Sequence, residues 1–270
     1  MTQLAGSVVL ITGAAGGFGR EMVRQLLEAG SRLVLTDRDQ AAVERVAAEA
    51  GAAAGGGGEV LACFAADLGT AAGCASVHAQ ASALRLPTDV LVNNAGIAQF
   101  GRFDEVPAEK WELLMEVNLM APMRLTHLFL PGMVRRGRGH VVNISSAAGW
   151  IGSPGLAPYT ASKFGLRGFG EALHLEMRRH GVAVTTVYPF FSRTPILQSE
   201  QIGSLPRPPL PDRVLTDPAD VVREVLRGIR EDRAHVFPDA MSRRLQLLKR
   251  FAPWALRYLA GRGRGRSSKG

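Results

Sequence analysis

The chain has 270 residues, 46% apolar and 21% charged, a composition ordinary for a soluble globular protein with a sizeable core in one large α/β domain or two small ones. No uncharged apolar run reaches the ~18 residues needed to span a bilayer, and the N-terminus runs straight into a strand-like VVLIT with no basic n-region or cleavage site, so no signal peptide is expected. The net charge of +8 is local: nine basic residues and no acidic one follow residue 240, leaving about −1 on the rest.

In chain order, continuous apolar runs rich in Val, Ile and Leu predict strands at 7–12, 32–36, 59–64, 89–92, 140–144 and 182–188. Runs without alternation suit strands buried on both faces. The first predicted helix is 17–29, where Phe18, Met22, Leu26 and Leu27 recur at helical spacing and Gly30 can close the last turn. Further helices are predicted at 40–50, 107–117, 119–136, 157–180 and 218–231. The alternation predicts an α/β fold, a single Rossmann-type doubly wound parallel sheet flanked by helices, over residues 1–240.

Two stretches predict loops. Residues 52–58 (AAAGGGG) read as a flexible connection. The run 205–211 (LPRPPLP) can be neither regular helix nor central strand, because proline removes amide donors. It follows the last long strand at its carboxyl end and reads as a mobile lid or as a plain surface excursion. Residues 241–270 read as a basic amphipathic extension. Met241, Leu245, Leu248, Phe251, Trp254 and Tyr258 recur at helical spacing with arginines between them, Pro253 should divide the helix, and the composition from Gly261 on predicts disorder. Cys63 and Cys74 show no metal or CxxC pattern and suit a reducing cytoplasm. The six histidines show no metal spacing, so no metal site is expected.

The first predicted strand leads into the turn Thr12-Gly13-Ala14-Ala15-Gly16-Gly17-Phe18-Gly19. A strand ending there and a helix opening near Gly17 bring backbone amides and the positive end of a helix dipole to one point. Glycines 13, 17 and 19 would permit a tight turn, close approach of a pyrophosphate and close helix packing. Asp37 ends the second strand, eighteen residues after Gly19, where a carboxylate accepts from ribose hydroxyls and repels a 2′-phosphate. No lysine or arginine sits in the turn, although Arg38 follows at once and could stack on adenine or grip a phosphate. NAD(H) is the expected cofactor, with NADP(H) the alternative. Tyr159 and Lys163 are four apart and share a helix face, where an ammonium would pull a phenol's pKa toward the working range. An incidental pair on a solvated helix face has the same spacing.

Taken together the motifs resemble the short-chain dehydrogenase/reductase (SDR) family over roughly residues 5–240. Thr12 to Gly19 matches its TGxxxGxG turn, Asn93-Asn94-Ala95-Gly96 its NNAG stretch, Asn118 its helical asparagine, Ile144-Ser145-Ser146 its serine motif, and Tyr159 to Lys163 its YxxxK. The thirteen-residue interval before the tyrosine selects Ser146 over Ser145. The resemblance implies a hydride-transfer oxidoreductase. It gives Tyr159 as general acid/base, Ser146 as donor to the substrate oxygen, Lys163 as the group that lowers the tyrosine pKa and binds the nicotinamide ribose, and Asn118 as holder of a relay water. On the cofactor side it implies Gly13, Gly17, Phe18, Gly19, Asp37, Arg38, Asp67, Leu68, Asn94, Ala95, Gly96, Pro189 and Thr194, with Asp67 on the adenine amine and Asn94 along the adenosine.

After the sixth strand relatives read Pro-Gly and then a threonine on the carboxamide, whereas this chain reads Pro189-Phe190-Phe191-Ser192-Arg193-Thr194. Ser146, Trp150, Tyr159, Phe190 and Phe191 are the expected substrate-pocket residues. An apolar secondary alcohol or its ketone, lipid-, steroid- or retinoid-like, suits such a lining. The enzymatic alternative is an NADPH-dependent ketone or 3-ketoacyl reductase, and the rival class is a dinucleotide sensor without turnover. A homodimer or homotetramer is implied by the resemblance. The tail reads as peripheral membrane contact over 241–260, or as a lid or subunit contact, and no specific nucleic-acid partner is expected.

Overall fold

Seven parallel strands in the order β3-β2-β1-β4-β6-β7-β9 form the central sheet of the computed structural model, which describes residues 1–53, 57–252 and 254. Along the chain these are β1 (Val8–Thr12), β2 (Arg32–Asp37), β3 (Glu59–Ala65), β4 (Val90–Asn93), β6 (Gly139–Ile144), β7 (Val182–Val187) and β9 (His235–Val236). A separate two-stranded ribbon pairs β5 (Phe100–Gly101) with β8 (Gln201–Ile202). The helices are α1 (Gly17–Glu28), α2 (Gln40–Ala53), α3 (Ala71–Ala83), α4 (Ala108–Met115), α5 (Ala121–Arg136), α6 (Ala157–Met177), α7 (Pro218–Arg230) and α8 (Ala240–Phe251).

Successive residues of β1 face opposite sides of the sheet, as the strand period requires. Val9 and Ile11 join a core with Met22 of α1, Val43 of α2 and Val221 of α7. Val8 and Leu10 join the opposite core, with Val77 of α3, Leu125 of α5 and Leu173 of α6. Every strand of this sheet pairs in parallel, so all carboxyl ends lie along one edge. The chain winds outward from β1 through β2 to β3 and then returns to β4 on the other side of β1. The crevice between β1 and β4 is therefore the topological switch point, where open α/β sheets bind ligands.

The six expected strands are present to within a few residues, and the doubly wound sheet is the expected one. Helix α3 was not legible: it is alanine-rich, with only Cys74, Val77 and Ala81 buried, so no strong apolar stripe announces it. The two helices expected at 107–117 and 119–136 instead form one run, α4 and α5 joined by a π-helical turn, Glu116–Met120. Residue 53 ends α2, so the expected loop at 52–58 starts within a helix, and 54–56 fall outside the described residues. Where it is described again, Gly58 runs so close to the Ser31 carbonyl that an added Cβ would lie 2.4 Å from that oxygen.

The proline-rich stretch is anchored through Arg207. Arg207 donates to the carbonyls of Leu197 and Ser199, and its guanidinium lies 5.2 Å from the centre of the Phe100 ring. Of the expected tail, α8 ends at Phe251. The expected break at Pro253, the position of Tyr258 and the disorder from Gly261 on lie outside the described residues.

Candidate active site at the carboxyl edge of the sheet

Thr12 ends β1 and Gly13 turns the chain at φ +64°, a conformation that a side chain strains. A Cβ on Gly13 would lie 2.8 Å from Ala95 Cα, and one on Gly19 only 2.1 Å from the Gly13 carbonyl. On Gly17 it would meet the Thr194 methyl at 2.5 Å. Bare backbone at three positions makes a shallow cradle over the N-terminus of α1. The first turn of that helix carries neither an acidic residue nor a side-chain cap, so its amides are available to an anion. These features fit a dinucleotide pyrophosphate. Phe18, half-buried at the start of α1, packs against the core beneath the cradle.

The NNAG stretch holds this turn from behind. Asn94 Nδ2 donates to the carbonyls of Thr12 at 2.9 Å and Gly13 at 3.0 Å, while the Thr12 hydroxyl accepts from the amides of Asn94 and Ala95. Asn94 therefore shapes the cradle. Asp37 stands at its rim, one carboxylate oxygen accepting from the Ala15 amide at 2.9 Å and the other from the Arg38 amide at 2.8 Å. The Arg38 side chain is exposed. Asp67, exposed, accepts from Gly69 N at 2.9 Å, and Leu68 is buried in the core beside it.

Four elements bring the second group together. Lys163, on α6, is 3% exposed, and its Nζ donates to the Ile144 carbonyl at 3.0 Å. Burial holds its pKa down at about 8. Asn118 sits in the π-helical turn, which widens the helix and presents the side chain to the loop after β4. It accepts from Ile97 N at 2.8 Å, donates to Ile97 O at 2.9 Å, and approaches Ser162 Oγ at 3.3 Å. A Cβ on Gly96 would lie 3.3 Å from Asn118 Oδ1 and 3.5 Å from Lys163 Nζ, so that glycine lets three segments converge.

The adjacent serines do different work. Ser145 is buried and donates to the Lys163 carbonyl at 3.0 Å. Ser146 is half-buried, caps the turn that follows by accepting from Ala148 N at 3.1 Å, and stands beside Tyr159. The Tyr159 pKa is not lowered as the Tyr-Lys spacing predicts. Burial raises it, and only the Ser146 hydroxyl pulls it back. Both partners are dehydrated, and dehydration disfavours the phenolate as it disfavours the ammonium.

The loop after β7 closes one side. The Pro189 carbonyl accepts from Ala147 N at 2.8 Å, next to Ser146. The rings of Phe190 and Phe191 meet at 4.7 Å. Thr194 reaches the cradle, its methyl toward Gly17 and its hydroxyl donating to Ser192 O at 3.3 Å. Trp150 is engaged in packing: the Arg167 guanidinium covers its ring at 3.5 Å, and Tyr188 and Phe237 meet it edge-on at 5.6 and 5.3 Å. Sequence reasoning missed Asp239, a buried carboxylate bonded to Phe190 N at 2.9 Å. The signal was there in Asp239-Ala240-Met241-Ser242, a capping pattern ahead of an apolar-periodic run.

The short chain dehydrogenase family profile matches residues 7–203. Human epidermal retinol dehydrogenase 2 is 32% identical over 257 residues, covering 93% of this chain and 80% of that protein. Among solved structures, a metagenomic short-chain oxidoreductase in complex with NADP is 34% identical, with a TM-score of 0.71 over 87% of this chain and 98% of the other. A Burkholderia phymatum short-chain dehydrogenase/reductase in complex with NAD is 25% identical, with a TM-score of 0.81 over 94% of this chain and 97% of the other. With this cradle and with Ser146, Tyr159 and Lys163 gathered beside it, the chain belongs to the short chain dehydrogenase family and is an oxidoreductase acting on alcohols or ketones.

Proposed function

We propose that the protein interconverts an apolar secondary alcohol and its ketone with NAD(H). The observation that carries this reading is the convergence of Gly96, Asn118, Ser146, Tyr159 and Lys163 beside the glycine cradle at the switch point. When bound, the nicotinamide accepts or supplies the hydride. The chain's own residues do the rest. Tyr159 holds the proton exchanged with the substrate oxygen, and its raised pKa keeps that proton in place for donation during reduction. Ser146 donates to the same oxygen as charge develops on it. Lys163 holds the nicotinamide ribose with the donors that Ile144 leaves free. Asn118, fixed at Ile97, holds the water through which Lys163 exchanges protons.

Asp37 supports NAD(H), since its carboxylate at the cradle rim repels a 2′-phosphate. A second reading, NADPH-dependent reduction of a ketone or ketoacyl group, is favoured by the exposed Arg38 and the NADP-bound relative. Apolar substrates are supported by the Phe190–Phe191 pair and by the retinol dehydrogenase likeness. Leu113 and Met123, 46% and 36% exposed on α4 and α5, support a homodimer or homotetramer built on those helices.

No helix among the described residues is long and apolar enough to cross a membrane. Peripheral contact is supported by α8. Met241, Leu245 and Leu248 lie half-buried on its inner side, while Leu247 and Phe251 stand out with Arg243, Arg244 and Arg250, and Trp254, past its end, is exposed as well. Cys63 and Cys74 are free thiols, which suits the cytoplasmic side. The deciding experiment follows reduced-nicotinamide absorbance with NAD+ and matched sets of small polar and bulky apolar secondary alcohols. Turnover of the apolar set supports the reading. Turnover of the polar set alone overturns the substrate class, and silence in both with NADPH-dependent ketone reduction overturns the cofactor.

A further inference from the structure

We infer that Asp239 is a positioning residue that sets the shape of the substrate pocket, by tying the first turn of α8 to the loop that carries Phe190. The inference rests on the assignment of Phe190 to the pocket wall. Asp239 is 4% exposed, and its two oxygens are divided between two backbone amides on different segments. One accepts from Phe190 N at 2.9 Å and the other from Ser242 N at 2.7 Å. A buried carboxylate holding backbone amides makes charge-assisted bonds, stronger than those of a neutral cap. Its place at the N-terminus of a twelve-residue helix supplies the opposing dipole.

The tie reaches the reacting groups through a short chain of contacts. Phe190 follows Pro189, whose carbonyl accepts from Ala147 N, and Ala147 follows Ser146. At its other end α8 is fastened again, by Lys249 donating to the Trp150 carbonyl. The helix thus braces the loop after β7 and the loop after β6, which bracket Ser146. A helix cap alone needs one acceptor oxygen. The second oxygen, turned onto Phe190, fixes the backbone of a ring whose described aromatic neighbour is Phe191, itself in the same loop.

Asp239→Asn separates the two duties. Its side-chain oxygen can still cap Ser242, and asparagine caps helices as well as aspartate does. Its amide then faces Phe190 N–H, donor against donor. The expected result is a KM for bulky apolar alcohols raised about tenfold, the worth of one charge-assisted bond. The KM for NAD+ stays near wild type, and the loss on a small alcohol, which does not reach the Phe190 ring, is much smaller than on the bulky one. Asp239→Ser, a capping residue too short to hold both amides, gives an independent second variant with the same expected split. Ser242→Ala, which leaves the Phe190 tie in place, should lower the melting temperature without moving KM. If the Asp239 variants only lower the melting temperature, as Ser242→Ala does, while Phe190→Ala raises the bulky-substrate KM, the inference is overturned. If Phe190→Ala also leaves that KM unmoved, the pocket assignment itself falls.

Discussion

Lys163 Nζ stands 5.6 Å from the centre of the Tyr159 ring while it donates to the Ile144 carbonyl at 3.0 Å. Burial moves the two partners in opposite directions, Lys163 down to about 8 and Tyr159 up. The protein alone therefore stores the exchangeable proton on the phenol. Oxidation, which needs that proton gone, should accelerate as pH rises into the alkaline range, whereas reduction should not. Tyr159→Phe should lower kcat by about 10³-fold, the worth of a positioned acid/base, and leave cofactor affinity near wild type in a fluorescence titration. Substantial residual turnover would remove the tyrosine from its role.

The same burial makes Lys163 a cost to the fold. Its folded pKa of about 8 lies below the 10.5 of the unfolded chain, so between those values the unfolded state binds more protons and stability rises with pH. The cost is fully present below about pH 8. Lys163→Met should abolish activity yet stabilise the protein near neutrality by roughly 2 kcal/mol, the relieved dehydration less the lost bond to Ile144. The gain should fade by pH 10.5. Denaturant unfolding across that range is the check, and a gain independent of pH contradicts it.

His140 supplies an acid-side prediction. It is fully buried, bonded to Thr2 and Thr185 at 2.8 Å each, and burial lowers its pKa to about 4 despite the pull of Asp232. A histidine held neutral contributes stability that is present above pH 6.5 and is lost as pH falls through about 4. That loss should approach roughly 3 kcal/mol. His140→Asn should flatten this part of the stability profile, and an unaltered slope would assign the acid sensitivity elsewhere.

Asp37 tests the cofactor. With both carboxylate oxygens on the cradle rim, Asp37→Ala should raise the KM for NAD+ and shift preference toward NADP+ by about tenfold. Initial rates with the two cofactors measure it. An unchanged ratio sinks the NAD(H) assignment.

The outer face of α8, together with exposed Trp254 past its end, makes a separate prediction. The full chain should sediment with phosphatidylglycerol-containing vesicles and less so at high salt, because the attraction to arginine is screened. Replacing Leu247, Phe251 and Trp254 together by Ser should weaken sedimentation without altering the rate on a soluble alcohol. Equal sedimentation by a chain ending at residue 240 refutes the contact.

Much of this protein is readable from its residues in order. Buried parallel strands need continuous apolar runs, and a phosphate cradle needs glycines at fixed intervals, so the sheet and the turn at Thr12–Gly19 are local properties. The Tyr159–Lys163 spacing is likewise local, because a helix alone places i and i+4 on one face. Tertiary structure decided what depends on neighbours distant in sequence. It joined two expected helices through a π-helical turn at Asn118, added β9 at the sheet edge, and turned Asn94 onto the cradle from behind. It also set the direction of the Tyr159 pKa, since dehydration depends on what covers a group and not on which residue stands four positions away. Asp239 shows the division most sharply. Its cap on Ser242 is three residues away and can be read from sequence, but its bond to Phe190 spans forty-nine residues and exists only because the fold brings the two together.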